Sequence, residues 1–183
     1  VDPRGDGMTA PRHYTITSAP GTPELTCTIK RVKGGEVSTY LHDSVQPGST
    51  VQLSPPFGTF TPRESARPTV LISAGIGETP MVSMAGAFDE VALVAHVDAS
   101  EQMHAFSDRF ASYNTLFKYK DETNTDADAL VGEVCSSLPG DASEYDFYVC
   151  GAPAFQAGVT TALKAAGGEH IYSEKFTGHT SHI

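Results

Sequence analysis

Two short stretches end an apolar run in a glycine turn and restart with a proline: Ile72-Ser-Ala-Gly75-Ile76-Gly77-Glu78-Thr79-Pro80-Met81 and Tyr148-Val-Cys150-Gly151-Ala-Pro153. Glycine there lets the backbone turn sharply and approach a ligand with no Cβ in the way. With a buried strand before it and a helix after it, the first turn aims free backbone N–H groups at whatever sits above, which suits a diphosphate. The Thr79 hydroxyl adds a donor, and Pro80 at the first helical position gives up an N–H that would lack a partner anyway. The third glycine of the dinucleotide fingerprint is missing, so a tight turn without ligand is the competing reading. Two such turns at one carboxyl edge of a sheet would face a single crevice, where open α/β sheets bind ligands. For Cys150 the ordinary fate is a packed thiol, because no His or Lys is placed by sequence to activate it as a nucleophile.

Upstream, Arg12 and Tyr14 in Arg12-His13-Tyr14-Thr15 share one face of a strand, with Thr15 on the other. A guanidinium beside an aromatic ring suits a ligand carrying both phosphate and a planar ring system, and a surface Arg flanking a half-buried Tyr is the plain alternative. Gly34-Gly35-Glu36-Val37-Ser38 reads either as a hairpin turn plus a cap or as a helix start aimed at a second phosphate.

The elements that must position these residues fall into two lobes. After a Gly-, Pro- and charge-rich start over 1–11, short β-like runs at His13–Ser18, Leu25–Val32 and Thr50–Ser54 are divided by turn residues, with a short helix over Val37–Val45 that Ser38 could cap. After Pro68 the pattern becomes strand, glycine turn, helix. Strands are expected at Thr69–Ala74, Glu90–His96, Thr115–Lys120, Tyr145–Cys150 and His170–Phe176. Helices are expected at Thr79–Phe88, Ala105–Ser112, Ala127–Leu138 and Ala154–Ala166. Continuous apolar strands alternating with helices argue an α/β fold: a doubly wound parallel sheet, preceded by a partial antiparallel β-barrel lobe. The boundary falls near 60–67, giving lobes of 1–62 and 63–183.

Composition bounds the partners. The 183 residues hold 12 Lys+Arg against 22 Asp+Glu, a net charge of −10, and this field repels nucleic acid and anionic lipid. Cys27, Cys135 and Cys150 form no CxxC and suit a reducing compartment. No apolar run approaches a membrane span, so no direct membrane insertion is expected. The start lacks a signal pattern, so the expected location is cytoplasmic, or an organelle interior with a targeting segment removed.

Six stretches then stand in a telling order: Arg12-His-Tyr14-Thr15; Lys30-Arg-Val-Lys-Gly-Gly35-Glu-Val37-Ser38-Thr-Tyr-Leu41-His42; Pro55-Pro-Phe-Gly58-Thr-Phe60; Gly75 to Met81; Tyr148 to Pro153; and Tyr172-Ser-Glu174-Lys-Phe176. Together, and with His96-Val-Asp-Ala-Ser-Glu-Gln-Met-His104-Ala-Phe106, they resemble the ferredoxin–NADP reductase-like superfamily, and in particular the reductase part of flavohaemoglobins. The resemblance runs from Arg12 over nearly the whole chain. It implies a flavin lobe and a nicotinamide lobe, with hydride passing from NADH or NADPH to FAD and electrons onward to a haem domain or other redox protein.

Carried over by position, Arg12, Tyr14 and Thr15 would hold the FAD diphosphate and flank the flavin, and Gly35, Val37 and Ser38 would serve its phosphates. Gly75, Ile76, Gly77, Glu78, Thr79 and Pro80 would hold the nicotinamide dinucleotide, with Cys150 and Gly151 near the nicotinamide. Phe176, followed by Thr177, would cover the flavin, and Glu174 would tune its surroundings. Tyr14, Cys150, Glu174 and Phe176 are the residues the resemblance puts at the reacting centre. In the family, barrel strands precede the Arg-x-Tyr motif, and here eleven residues stand before Arg12, so three expectations stand side by side: the sequence is a fragment, a further chain completes the barrel, or flavin has been lost. The family's Phe-Gly-Pro is here Phe176-Thr177-Gly178. No Arg in 97–102 would pair a 2′-phosphate, and Asp98 and Glu101 would repel one, which favours NADH. From Asp121 to Leu163 there are eight acids and no Lys or Arg, read as a solvated face before a docking surface for a basic partner. His179 and His182 read as a terminal tail, so no metal is expected. Three functions follow: an NAD(P)H-dependent flavin oxidoreductase domain, a non-catalytic reductase-like structural subunit of a larger assembly, or a nucleotide-binding regulatory module.

Overall fold

The computed structural model describes residues 11–120 and 126–176. Five parallel strands, β1 (Thr69–Ala74), β2 (Val91–Asp98), β3 (Thr115–Tyr119), β4 (Asp146–Gly151) and β5 (His170–Lys175), form one sheet in the order β3-β2-β1-β4-β5. The centre is made by Thr-Val-Leu-Ile-Ser-Ala and Asp-Phe-Tyr-Val-Cys-Gly, runs apolar enough to be buried on both faces. Alternate residues feed two cores. Val70, Ile72, Leu93, Ala95, Phe147 and Val149 pack under α3 (Ala127–Ser136) and α4 (Pro153–Ala165). Leu71, Val94, Tyr148 and Cys150 pack on the other side against α2 (Thr79–Met84) and the ring of Phe110. Helices on both faces make the sheet doubly wound, as expected.

The starts of the helices follow from the sequence. Asp126 caps α3 by accepting the Ala129 N–H at 2.7 Å, and Pro153 opens α4 without giving up a hydrogen bond. Two expected helices are shorter than the periodicity suggests: α2 gives way to a 3-10 turn at Ala85–Ala87, and 105–112 contains only a 3-10 turn at Ser107–Phe110.

Residues 11–68 differ more from expectation. The strands expected there reduce, among the described residues, to isolated bridge positions, Ile16↔Cys27 and Gln52, with Thr17 N–H donating to Thr26 O at 2.7 Å. Strands hold by pairing with partners, and an isolated two-stranded pair is marginal in water. Ahead of the sheet, α1 (Glu36–Asp43) forms as expected, but Gly35 is its N-cap. Ser38 sits inside the first turn, and its hydroxyl accepts the Val32 N–H at 3.1 Å. The linker is stitched to β4: Arg63 N–H donates to the Tyr148 hydroxyl, the Arg63 guanidinium lies over Tyr172, and Arg67 pairs with buried Asp146 at 2.8 Å. No helix among the described residues is long and apolar enough to cross a membrane.

Candidate functional site

The strand order reverses between β1 and β4, because β2 and β3 lie on one side of β1 while β4 and β5 lie on the other. The two glycine turns leave the carboxyl ends of these two strands side by side, at the point where such sheets open a crevice. Gly77 packs directly on the other turn: a Cβ there would come within 2.6 Å of Cys150 O and 2.8 Å of Gly151 Cα. Gly75 has φ +52, and a Cβ on it would find only Lys30 Nζ, at 4.0 Å. The first glycine thus leaves open backbone with a cation from the preceding lobe beside it, and the second closes the two turns together. This cradle fits a dinucleotide diphosphate.

Two expected ligand contacts are corrected by side-chain direction. Thr79 donates its single hydroxyl proton to Ile76 O at 2.9 Å and is buried, so that hydroxyl holds the turn and is not free to donate to a phosphate. Glu78 points inward: it is 1% exposed and Oε1 lies 2.8 Å from His104 Nε2. Any part these residues have in binding belongs to their backbone. Burial first, and the charge of Asp98 second, push the Glu78 carboxyl up to about 8. Burial and neighbouring His96 hold His104 down at about 4, so its ring is neutral.

Around this carboxyl lies a group that the turn motifs did not disclose. His96 stacks on His104 with ring centroids 4.3 Å apart, Ser73 Oγ meets His96 Nδ1 at 2.8 Å, and Tyr119 OH meets His104 Nδ1 at 3.0 Å. His96 Nε2 lies 3.3 Å from Asp98 Oδ2, and Asp98 also accepts the Ala99 N–H. Burial would raise Asp98, but these hydrogen bonds and the charge of Lys30 outweigh it and hold the carboxyl below its ordinary value. Asp98 is therefore spoken for, and of the two acids expected to face a 2′-phosphate only Glu101 is exposed. The available signal was polar His96 and Asp98 alternating at the end of an apolar strand.

On the other side of the crevice, Cys150 is fully buried. Burial, then the charge of Glu174 paired beside it, push its thiol far up, so no thiolate forms at neutral pH. Cys150 thus stands as a neutral, packed thiol at the end of β4. Phe176 returns to the same turn, its N–H donating to Gly151 O at 2.8 Å, and burial raises the Glu174 carboxyl. Phe176, Glu174, Cys150 and Gly151 are thus brought together with Gly75–Pro80. Arg12, Tyr14 and Thr15 lie on the bridge-forming segment, where burial raises the Tyr14 hydroxyl and the Arg12 charge lowers it. Gly35 and Val37 begin α1, with a Cβ on Gly35 reaching 2.7 Å from Ser38 Oγ. Thr177, His179 and His182 lie outside the described residues.

Residues 1–61 match the family model for the oxidoreductase FAD-binding domain. A flavohemoprotein of Pseudomonas putida is 33% identical over 177 residues, covering 88% of this chain and 45% of the relative. The chain spans about half the length of the curated relatives it matches. Among solved structures, the flavohem-like FAD/NAD binding domain of the nitric oxide dioxygenase from Vibrio cholerae superposes with a TM-score of 0.81 at 28% identity, covering 96% of this chain and 81% of that one. A ferredoxin NADP+ reductase from Neisseria gonorrhoeae with bound FAD and NADP shares the fold, with a TM-score of 0.74 at 20% identity over 90% of this chain and 79% of that one. With its doubly wound sheet and its paired glycine turns, the chain is an FAD-binding oxidoreductase domain similar to the reductase part of flavohemoproteins, on the fold that ferredoxin NADP+ reductases share.

Proposed function

We propose that the chain is the flavin–nicotinamide module of an NAD(P)H-dependent oxidoreductase, which passes hydride from a nicotinamide dinucleotide to FAD and electrons onward to a haem domain or another redox protein. The closure of Gly77 onto Cys150 and Gly151 at the reversal of strand order carries the reading. FAD, when bound, supplies the redox chemistry, so the chain's share is binding, placement and electrostatics. Gly75 leaves room for a diphosphate on the turn, and Lys30 offers the nearby positive charge. Arg12 and Tyr14 supply a cation and a ring for the flavin nucleotide, with Thr15 beside them, and the N–H groups following Gly35 receive phosphate at the start of α1. Phe176, tied to Gly151, would cover the flavin, and Glu174 would set the local charge.

NADH is the proposed donor, since exposed Glu101 and the lack of Arg over 97–102 disfavour a 2′-phosphate. A cytoplasmic or organelle-interior setting fits this cofactor use. The test is purification of the chain with FAD, followed by absorbance and NADH-driven dye reduction. A yellow protein that turns over NADH is expected; a colourless protein, inactive with added FAD, overturns the reading.

A second reading, a structural subunit whose neighbours cover the preceding lobe, is favoured by one observation: Leu25, Leu53 and Phe57 are 64%, 57% and 71% exposed. It expects assembly into a larger complex without NADH turnover, which size-exclusion chromatography beside the dye assay distinguishes.

A further inference from the structure

The polar group beneath the turn after β1 takes no part in hydride transfer, yet its geometry is particular. Glu78 enters from the turn, His96 from β2 and His104 from the loop beyond β2, all three buried. Glu78 Oε1 lies 2.8 Å from His104 Nε2 and 3.9 Å from His96 Nδ1, and one ligand atom from each of the three lies within 4.8 Å of the others. Donors held at about 2.0–2.2 Å around a tetrahedral ion stand roughly 3.3–3.6 Å apart. The two distances to Glu78 bracket that spacing, and rotation of the two imidazoles out of their present stack, with the nitrogens drawing together from within 4.8 Å, would bring the oxygen and both nitrogens onto one ion.

What surrounds the three is equally specific. Each imidazole is anchored at a second ring nitrogen or on its flank: Asp98 meets His96 Nε2 at 3.3 Å, and Tyr119 meets His104 Nδ1 at 3.0 Å. Metal-binding histidines are oriented in this way, through a carboxylate or another oxygen on the nitrogen that does not ligate. Ser73 Oγ, 2.8 Å from His96 Nδ1, puts one more oxygen at the site. Two imidazoles with one carboxylate suit borderline transition ions, while magnesium and calcium seek all-oxygen sites.

We propose that Glu78, His96 and His104 bind one divalent transition-metal ion of the zinc type, which fastens the turn after β1 to β2 and to the loop that follows. An incoming ion takes the place of the proton between Glu78 and His104 and of the Ser73 contact on His96, so binding releases a proton. The site requires neither flavin nor dinucleotide, and it stands or falls separately from the oxidoreductase reading.

The experiment strips the full chain with a chelator and titrates it with Co2+ and Zn2+, with Mg2+ as the oxygen-seeking control. One ion per chain is expected by elemental analysis, with visible cobalt absorption that Zn2+ displaces and Mg2+ does not. Glu78→Gln keeps the shape and removes the anion, and should weaken binding at least about 100-fold; Asp98→Asn, acting through His96, should weaken it about 10–100-fold. Replacing His179 and His182 together by Ala should change nothing. Far-ultraviolet dichroism establishes folding; His104→Gln stands in if Glu78→Gln does not fold, and Asp98→Asn decides if neither does. The proposal is overturned if the folded chain binds no ion up to millimolar concentration, if Mg2+ competes equally, if Glu78→Gln binds as well as the parent, or if the double His replacement abolishes binding.

Discussion

Residues 11–60 and residues 69–175 bury apolar surface by opposite means. The sheet lobe makes its own interior: each central strand offers alternate residues to two cores, and Val70, Ile72, Phe147, Val149 and Leu163 have no exposed surface at all. The preceding segment keeps one compact knot around α1, where Val37 is buried, and leaves Leu25, Leu53 and Phe57 in solvent. The difference is one of partners: each central parallel strand has a strand along both edges and packing on both faces, while the strand-like runs before the sheet share, among the described residues, only isolated bridges. The crevice takes its rigidity from the sheet lobe and the nearby cation of Lys30 from the preceding segment.

The cysteines test this contrast most severely. Cys27 is exposed in the first segment, whereas Cys150 is sealed in β4 with its thiol pushed up. An alkylating reagent should reach Cys150 only through global opening. With a stability of roughly 5 kcal/mol or more, its modification should be at least about 1000-fold slower than that of Cys27. Peptide mapping over time measures both rates, and comparable rates would put the two regions on one footing.

Core truncation comes next. Phe147→Ala removes a fully buried ring between α3, α4 and the sheet, and should cost about 3–5 kcal/mol in urea unfolding. Leu53→Ala, at an exposed site, should stay within about 0.5 kcal/mol of the parent. A large loss at Leu53 would mean that the preceding segment buries surface in solution after all. Smaller in free energy, but aimed at the site, is Gly77→Ala. Its methyl meets backbone at 2.6 Å, so the two turns must part and NADH affinity should fall at least about tenfold, or about 1.4 kcal/mol. Gly86→Ala, with open space around it, should leave affinity unchanged; fluorescence titration compares the two.

Much of the sheet lobe was legible from sequence because its signals are local. Thr69–Ala74 is uncharged throughout with an apolar centre, Pro153 opens a helix, and Gly75 and Gly77 mark a turn between strand and helix. What escaped was the direction of side chains within that turn. The motif is blind to whether Thr79 bonds Ile76 O or a phosphate, and to whether Glu78 faces the crevice or His104. These choices are made by tertiary packing, which brings residue 78 against residues 96 and 104. In the preceding segment Ser38 carried a sound capping signal, yet Gly35 ends the turn and Ser38 is drawn to the Val32 N–H instead. The β-like runs there had the right composition, but composition cannot furnish a partner strand.

The smallest effect sits on the knot around α1. Arg31 clasps Asp43 at 2.7 and 2.8 Å through two guanidinium nitrogens, and His42 Nε2 lies 2.8 Å from Ile29 O, so two side chains tie the end of the helix to the strand-like run before it. Both partners of the ion pair are half-exposed, so water and salt screen most of the attraction, and an exposed pair is worth about 0.2–1 kcal/mol. A double-mutant cycle with Arg31→Ala and Asp43→Ala should give a coupling in that range that shrinks as salt is raised to about 1 M. A coupling above about 1 kcal/mol that survives salt would show the pair shielded from water by something absent from the isolated chain's surface. The region's solvent-exposed leucines would then have to be read as covered too.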